Sequence, residues 1–122
     1  MMDPVSSYKP ETEFLTDERC YIIEIHNRND DDGCSIARAR VESGVTTQLH
    51  ALRGTIERYV ILEGEGRVEI DGGPPTVVRP LDIVLIPAGA SQRIANNGEE
   101  DLKFLCVCTP RFRPEIYVNK ET

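Results

Sequence analysis

Short runs of β-branched and aromatic residues, each ended by glycine, proline, asparagine or aspartate, recur along the whole chain, and no window sustains an apolar period of 3.6. A chain patterned this way has no amphipathic helices from which to build layers, so it reads as all-β. The runs at 20–25, 35–41, 46–49, 58–62, 66–70, 76–79, 83–86, 92–95 and 102–108 are the expected strands, at the regular spacing of a sandwich or barrel. Residues 30–33 make an acidic loop, residues 71–75 fix a turn that no central strand continues through, and Asn97 and Gly98 form a hairpin signal between two apolar runs. The first fifteen residues are polar and unpatterned. They read as an arm, residues 1–15, ordered only by pairing with the barrel or with a second subunit.

A chain of 122 residues encloses one core, so a single domain is expected over 16–118, with 119–122 as a tail. Twenty-one acidic against 14 basic residues give a formal charge of -7. A nucleic-acid backbone or an anionic membrane would meet net repulsion, and neither is expected as a partner. No run reaches the roughly 18 apolar residues of a membrane span, and the N-terminal stretch lacks the basic start and apolar centre of a signal peptide, which points to a soluble cytoplasmic protein. Reduced thiols are accordingly expected at Cys20, Cys34, Cys106 and Cys108.

Two stretches place special residues at fixed spacings on adjacent hairpins. In the first, Gly44, His50, Glu57 and Gly64 fall in the register G-x5-H-x-H-x3,4-E-x6-G, with Leu52 at the second histidine position; in the second, Pro87, Gly89 and Asn96 fit G-x5-P-x-G-x2-H-x3-N, with Leu81 at the glycine and Gln92 at the histidine. These paired motifs resemble those of the cupin superfamily, in particular small single-domain type-2 cupins, over roughly residues 35–110. The resemblance implies a jelly-roll β-barrel, the double-stranded β-helix. It extends to residues 102–117, which look like the last barrel strand and closing tail of such proteins. Leu81 stands where glycine ordinarily serves a tight turn, and a turn of a different type is expected there.

Strand alternation puts Gln48, His50 and Leu52 on one face and Gln92, Ile94 and Asn96 on another. The resemblance implies that this side faces the cavity, with Glu57 entering from the next strand, so that His50, Glu57 and Gln92 form a reduced metal set for Fe, Mn, Ni or Zn. An imidazole, a carboxylate and an amide oxygen suit such ions weakly. With only two histidines in the chain, His26 and His50, a three-histidine centre is excluded. Three readings stand. One is a metal-dependent enzyme of dioxygenase or isomerase type. In another, Leu52 dries the cavity wall and Glu57 and His50 work as a metal-free catalytic acid and base on a bound sugar or keto acid. The last is a non-catalytic binding or sensing protein, with His50 and Glu57 hydrogen-bonded across the cavity.

Arg38 and Arg40 alternate with Ala37, Ala39 and Val41. If the basic face looks inward, the ligand is a small organic anion gripped by guanidinium forks; outward, the arginines are ordinary surface residues. Gln48 and Tyr59 share the faces of the site and are further substrate-binding candidates, while Cys106 and Cys108 read as core packing. The strand at 20–25 is apolar on both sides and needs cover on both. By resemblance to small cupins this predicts a homodimer with that segment near the interface.

Overall fold

A computed structural model describes residues 3–121. Eleven strands make two antiparallel sheets. The first carries β1 (Phe14–Leu15), β2 (Tyr21–His26), β3 (Ser35–Val41), β10 (Leu102–Thr109), β5 (Ile56–Glu63) and β8 (Ile83–Ile86), in that order. The second carries β11 (Tyr117–Asn119), β4 (His50–Leu52), β9 (Gln92–Ala95), β6 (Gly66–Ile70) and β7 (Thr76–Val78). The crossing order of the strands is that of a jelly-roll barrel. Among the described residues no helix is long and apolar enough to cross a membrane.

Alternation sorts the side chains. Val41, Ile61, Ile86, Ile94, Leu102 and Phe104 all point between the sheets and are almost wholly shielded from water. Each such side chain contributes roughly 1.5–3 kcal/mol of transfer free energy. This apolar plug fills one end of the barrel. Beyond the Ala39–Phe104 pair the inward positions of β3 and β10 are small: Ala37 pairs with Cys106 and Ser35 with Cys108. Small residues on two neighbouring central strands leave a space that the opposite sheet does not fill, and that space is the cavity.

The expected strand at 46–49 is displaced. Only Thr46 makes a bridge there, to Ala95, and the regular strand starts at His50. Thr47 still exchanges bonds with Ile94 of β9, but residues 48 and 49 find their partners elsewhere: Gln48 N–H donates to the Glu18 carbonyl, Leu49 N–H to the Glu121 carboxylate, and the Leu49 carbonyl accepts from Lys120. Both ends of the chain are thus stitched to the segment that leads into β4.

Leu81 corrects the expected change of turn type. It takes φ +74°, the left-handed conformation that a glycine would hold, and its side chain is 81 % exposed. Pro80 precedes it, and Asp82 closes the turn by accepting from Arg79 N–H at 2.8 Å. The turn therefore keeps its shape and carries the strain in one residue.

The arm lies along the outer face of the first sheet. Glu13 binds the guanidinium groups of both Arg38 and Arg40, Tyr8 accepts from Arg38 at 3.1 Å, and β1 pairs with β2. It supplies the cover that β2 needs on its outer side, leaving Ile23 only 1 % exposed in the single chain.

Candidate functional site

The cavity has a volume of about 370 Å³ and opens between the two sheets. His50 comes from the start of β4 and Glu57 from the start of β5, one tight turn later, so the chain delivers imidazole and carboxylate to the same space from consecutive strands. Gln92 pairs with His50 across the β4–β9 ladder. Leu52 and Tyr59 form adjoining walls, and Tyr117 of β11 stacks on His50 with ring centroids 4.9 Å apart.

His50 is oriented by its own strand. Its Nδ1 lies 2.7 Å from the Gln48 carbonyl, a pure acceptor, so Nδ1 carries a proton and Nε2 is the nitrogen turned to the cavity. That nitrogen does not meet Glu57, so the expected hydrogen bond between the two across the cavity is absent. It faces instead the carboxylate of Glu18, 3.9 Å away. Glu57 is buried and its Oε2 accepts only a weak bond from the Cys108 thiol at 3.7 Å, while Oε1 has no partner. Burial pushes the Glu57 carboxyl above the ordinary carboxylate range, against the opposing pull of His50 and of the nearby Gln92 amide. Glu18 is raised for the same reason, again opposed by His50.

Gln92 is 1 % exposed. Its Oε1 accepts from the Tyr59 hydroxyl and its Nε2 is left without a partner. This is the chemically sensible way round, because Glu57 Oε1 next to it needs a donor and not a second oxygen. The amide lies near enough to favour ionised Glu57 without reaching hydrogen-bond geometry. Gln48 lines the cavity too, with its Oε1 taken by the Tyr117 hydroxyl at 2.5 Å.

The two arginines are a correction. Arg38 and Arg40 sit on the outer face of β3, because the small residues Ala37 and Ala39 take the inner positions, and their charges are consumed by Glu13 of the arm. They do not reach the cavity. No lysine or arginine is among the described residues that line it, whereas Asp17, Glu18, Glu24 and Glu57 are. Cys20, Cys106 and Cys108 also line it; burial and the charge of Glu18 push the Cys20 thiol up to about 12, so these are inert walls.

Sequence reasoning missed Glu18 and Tyr117. Neither belongs to a motif, and each reaches His50 from the margin of the expected domain 16–118, far in sequence from the two motifs. The one local signal was Thr16, whose hydroxyl accepts from the Glu18 N–H at 3.2 Å and shapes the turn that aims the acid inward.

Residues 37–108, more than half of the chain, match the family model described as Cupin domain. The chain is a cupin. It is 38 % identical over 71 residues to an oxalate-binding protein of Thermotoga maritima, a match covering 58 % of either chain. It is 36 % identical over 81 residues to an uncharacterized protein of Methanocaldococcus jannaschii, covering 66 % of this chain and 64 % of that one. The matches thus span less than two thirds of both relatives. Among solved structures, a predicted oxalate decarboxylase from Thermotoga maritima superposes with a TM-score of 0.69 at 27 % identity, covering 75 % of this cupin and 80 % of the other chain. A polyketide cyclase from Streptomyces resistomycificus reaches 0.78 at 19 % identity over 100 % of this cupin and 87 % of that chain, a likeness of fold alone.

Divalent metals are common in cupins, and the donors here can be tested against one. His50 Nε2 and Glu57 Oε1 are free, but Leu52 replaces a nitrogen ligand, and the Gln92 oxygen is held by Tyr59, leaving an amide NH₂ that cannot ligate. Among the described residues no group of three His, Cys, Asp or Glu is disposed to hold an ion. These residues do not fit the metal, and Gln92 in particular is not a ligand in this arrangement.

Proposed function

We propose that this cupin binds a small organic acid in its cavity without a metal. The observation that carries the reading is a cavity-lining carboxylate oxygen, Glu57 Oε1, buried without a partner beside His50 Nε2, which only the Glu18 carboxylate faces at 3.9 Å; behind this wall Gln92 Nε2 is also unpaired, and buried polar groups are rarely left so in a native protein. A ligand carboxyl group supplies both a donor and acceptors, which such a set requires. The volume is at the small end of ligand sites. Similarity to the oxalate-binding protein supports the ligand class.

One observation favours turnover as a second reading. Glu57, raised by burial, stands in the same pocket as the His50 imidazole, the arrangement that acid/base chemistry beside a carbonyl uses. Glu57→Gln separates the two: a binder keeps its affinity, and an isomerase loses its rate.

The test is calorimetric titration of oxalate into protein stripped with a chelator, alongside elemental analysis of untreated protein and of His50→Ala. Retained binding after stripping, with melting unmoved by Fe, Mn, Ni or Zn, is the expected result. A first-row metal near one per chain that vanishes in His50→Ala would overturn it.

The reading includes a homodimer in a reducing cytoplasm. Since the arm covers β2, the support comes from β8, where Ile83 and Leu85 are 60 % and 62 % exposed on the outer face. A monomeric mass by light scattering at micromolar concentration would remove the dimer.

A further inference from the structure

Away from the cavity, on the side where the arm crosses the end of β2, three residues from separate segments form a relay. The Ser6 hydroxyl lies 2.6 Å from Nδ1 of His26, and Nε2 of His26 lies 2.8 Å from the Asp31 carboxylate. A carboxylate only accepts, so Nε2 carries the ring proton and Nδ1 is the acceptor for Ser6 O–H. We propose that Ser6, His26 and Asp31 are a catalytic triad for acyl transfer from small esters, a second site independent of the cupin cavity.

Each member is held by contacts of its own. The β2–β3 register shifts between Glu24 and His26, a bulge of the kind that re-aims a side chain, and it turns His26 towards the arm. In the following loop the neighbours of Asp31 are already paired, Asp30 with Arg28 and Asp32 with Arg111 and Arg113, which leaves Asp31 for the imidazole. The arm is pinned on both sides of Ser6, by Arg28 on the Asp3 carbonyl at 2.5 Å and by Arg38 on the Tyr8 hydroxyl at 3.1 Å. Nucleophile, base and orienting acid are thus placed by different parts of the fold, the logic by which such triads are recognised irrespective of chain order. The two ring nitrogens exchange their usual tasks, which the chemistry permits, since the acid needs only to fix one N–H so that the other nitrogen is basic.

Beside Ser6 is a surface pocket of about 370 Å³, with Lys9 and Arg28 on its walls. Arg28 is committed to Asp30 and the Asp3 carbonyl, so it is the Lys9 ammonium whose positive charge suits the oxyanion that develops when an ester carbonyl is attacked. In the first step Ser6 Oγ bonds to the carbonyl carbon and its proton passes to His26 Nδ1. The C–O bond to the alcohol breaks, and the departing oxygen takes that proton. In the second step water gives a proton to the same nitrogen and attacks the acyl-Ser6 ester; the acid leaves, and Ser6 Oγ recovers the proton.

The test uses the full chain and a fluorophosphonate, read by intact mass and peptide mapping, with hydrolysis of p-nitrophenyl acetate followed in parallel. One adduct per chain at Ser6 is expected, unchanged in Ser43→Ala, whose hydroxyl binds the Gly98 carbonyl away from this pocket. It should be absent in Ser6→Ala, on the order of 100-fold slower in His26→Gln, which keeps a partner for Ser6 but no base, and at least about tenfold slower in Asp31→Asn. An unmodified Ser6, or labelling as fast in His26→Gln and Asp31→Asn as in the unaltered chain, would overturn the triad. Melting curves of the variants separate lost chemistry from a lost fold.

Discussion

Nε2 of His50 stands 3.9 Å from the Glu18 carboxylate, so the imidazole of the cavity is faced by an acid from the segment before β2. The Gln48 N–H holds that segment through the Glu18 carbonyl at 3.0 Å. An acid ligand entering this space meets a like charge. At an effective dielectric of about 20, charges about 5 Å apart repel by about 3 kcal/mol, and relief of half of that is about tenfold in Kd. Glu18→Gln is therefore expected to tighten oxalate about tenfold in calorimetric titration. Equal or weaker binding would count against an acid as the ligand.

Tyr59→Phe tests the buried amide. The ring keeps its contact with Phe104, 4.4 Å between centroids, but Gln92 Oε1 loses its donor inside the barrel. The variant should lose about 1–3 kcal/mol in urea unfolding. A loss under about 0.5 kcal/mol would show that the amide finds another partner.

Two turn positions are expected to respond in opposite directions. At Gly64, with φ +81°, an added Cβ would lie 2.6 Å from the Asp101 carbonyl and 3.0 Å from Leu102 Cα, backbone that cannot yield. Gly64→Ala should cost about 3 kcal/mol or more by combining strain with a clash. Leu81 holds a comparable φ with its side chain in water, so Leu81→Gly should leave the protein as stable or up to about 1 kcal/mol more so. Thermal melts of the pair decide, and a large loss in Leu81→Gly would mean that the exposed leucine is used.

Acid should weaken the arm. The hydrogen bond from Arg40, with the charges of Arg40 and Arg38 behind it, outweighs burial and holds Glu13 below its ordinary value of 4.5. The unfolded chain then takes up this proton more readily, so the contribution to stability is complete above about pH 4.5 and fades as pH falls through the lower folded value. Glu13→Gln should cost about 1 kcal/mol at neutral pH and flatten this part of the acid limb in urea unfolding from pH 7 to pH 3. An unchanged acid limb would show that the clamp contributes nothing.

The barrel was readable because alternation and turn residues are local signals. Strands at 35–41, 66–70, 83–86 and 92–95 stand where the sequence places them. The short strands β1 and β11 escaped notice, since two or three residues carry no period and are strands only by virtue of their partners. His50, Leu52, Glu57 and Tyr59 do line one space, as motif spacing and parity suggested. Arg38 and Arg40 show the limit of such counting: period-2 alternation says that two faces differ but not which one looks inward, and the answer lay in Glu13, some 25 residues away.

By itself the sequence determined the fold class, the family motifs and the loss of two ligand positions, all of which depend on residue type and short spacing. Tertiary structure alone decided what surrounds His50. Its neighbours Glu18, Tyr117 and Gln92 come from three distant segments, and only the closing of the barrel brings them within reach. The same closing turned Arg38 and Arg40 outward, because the small side chains between them fit the interior and a guanidinium is cheaper to leave beside Glu13 at the surface than to bury.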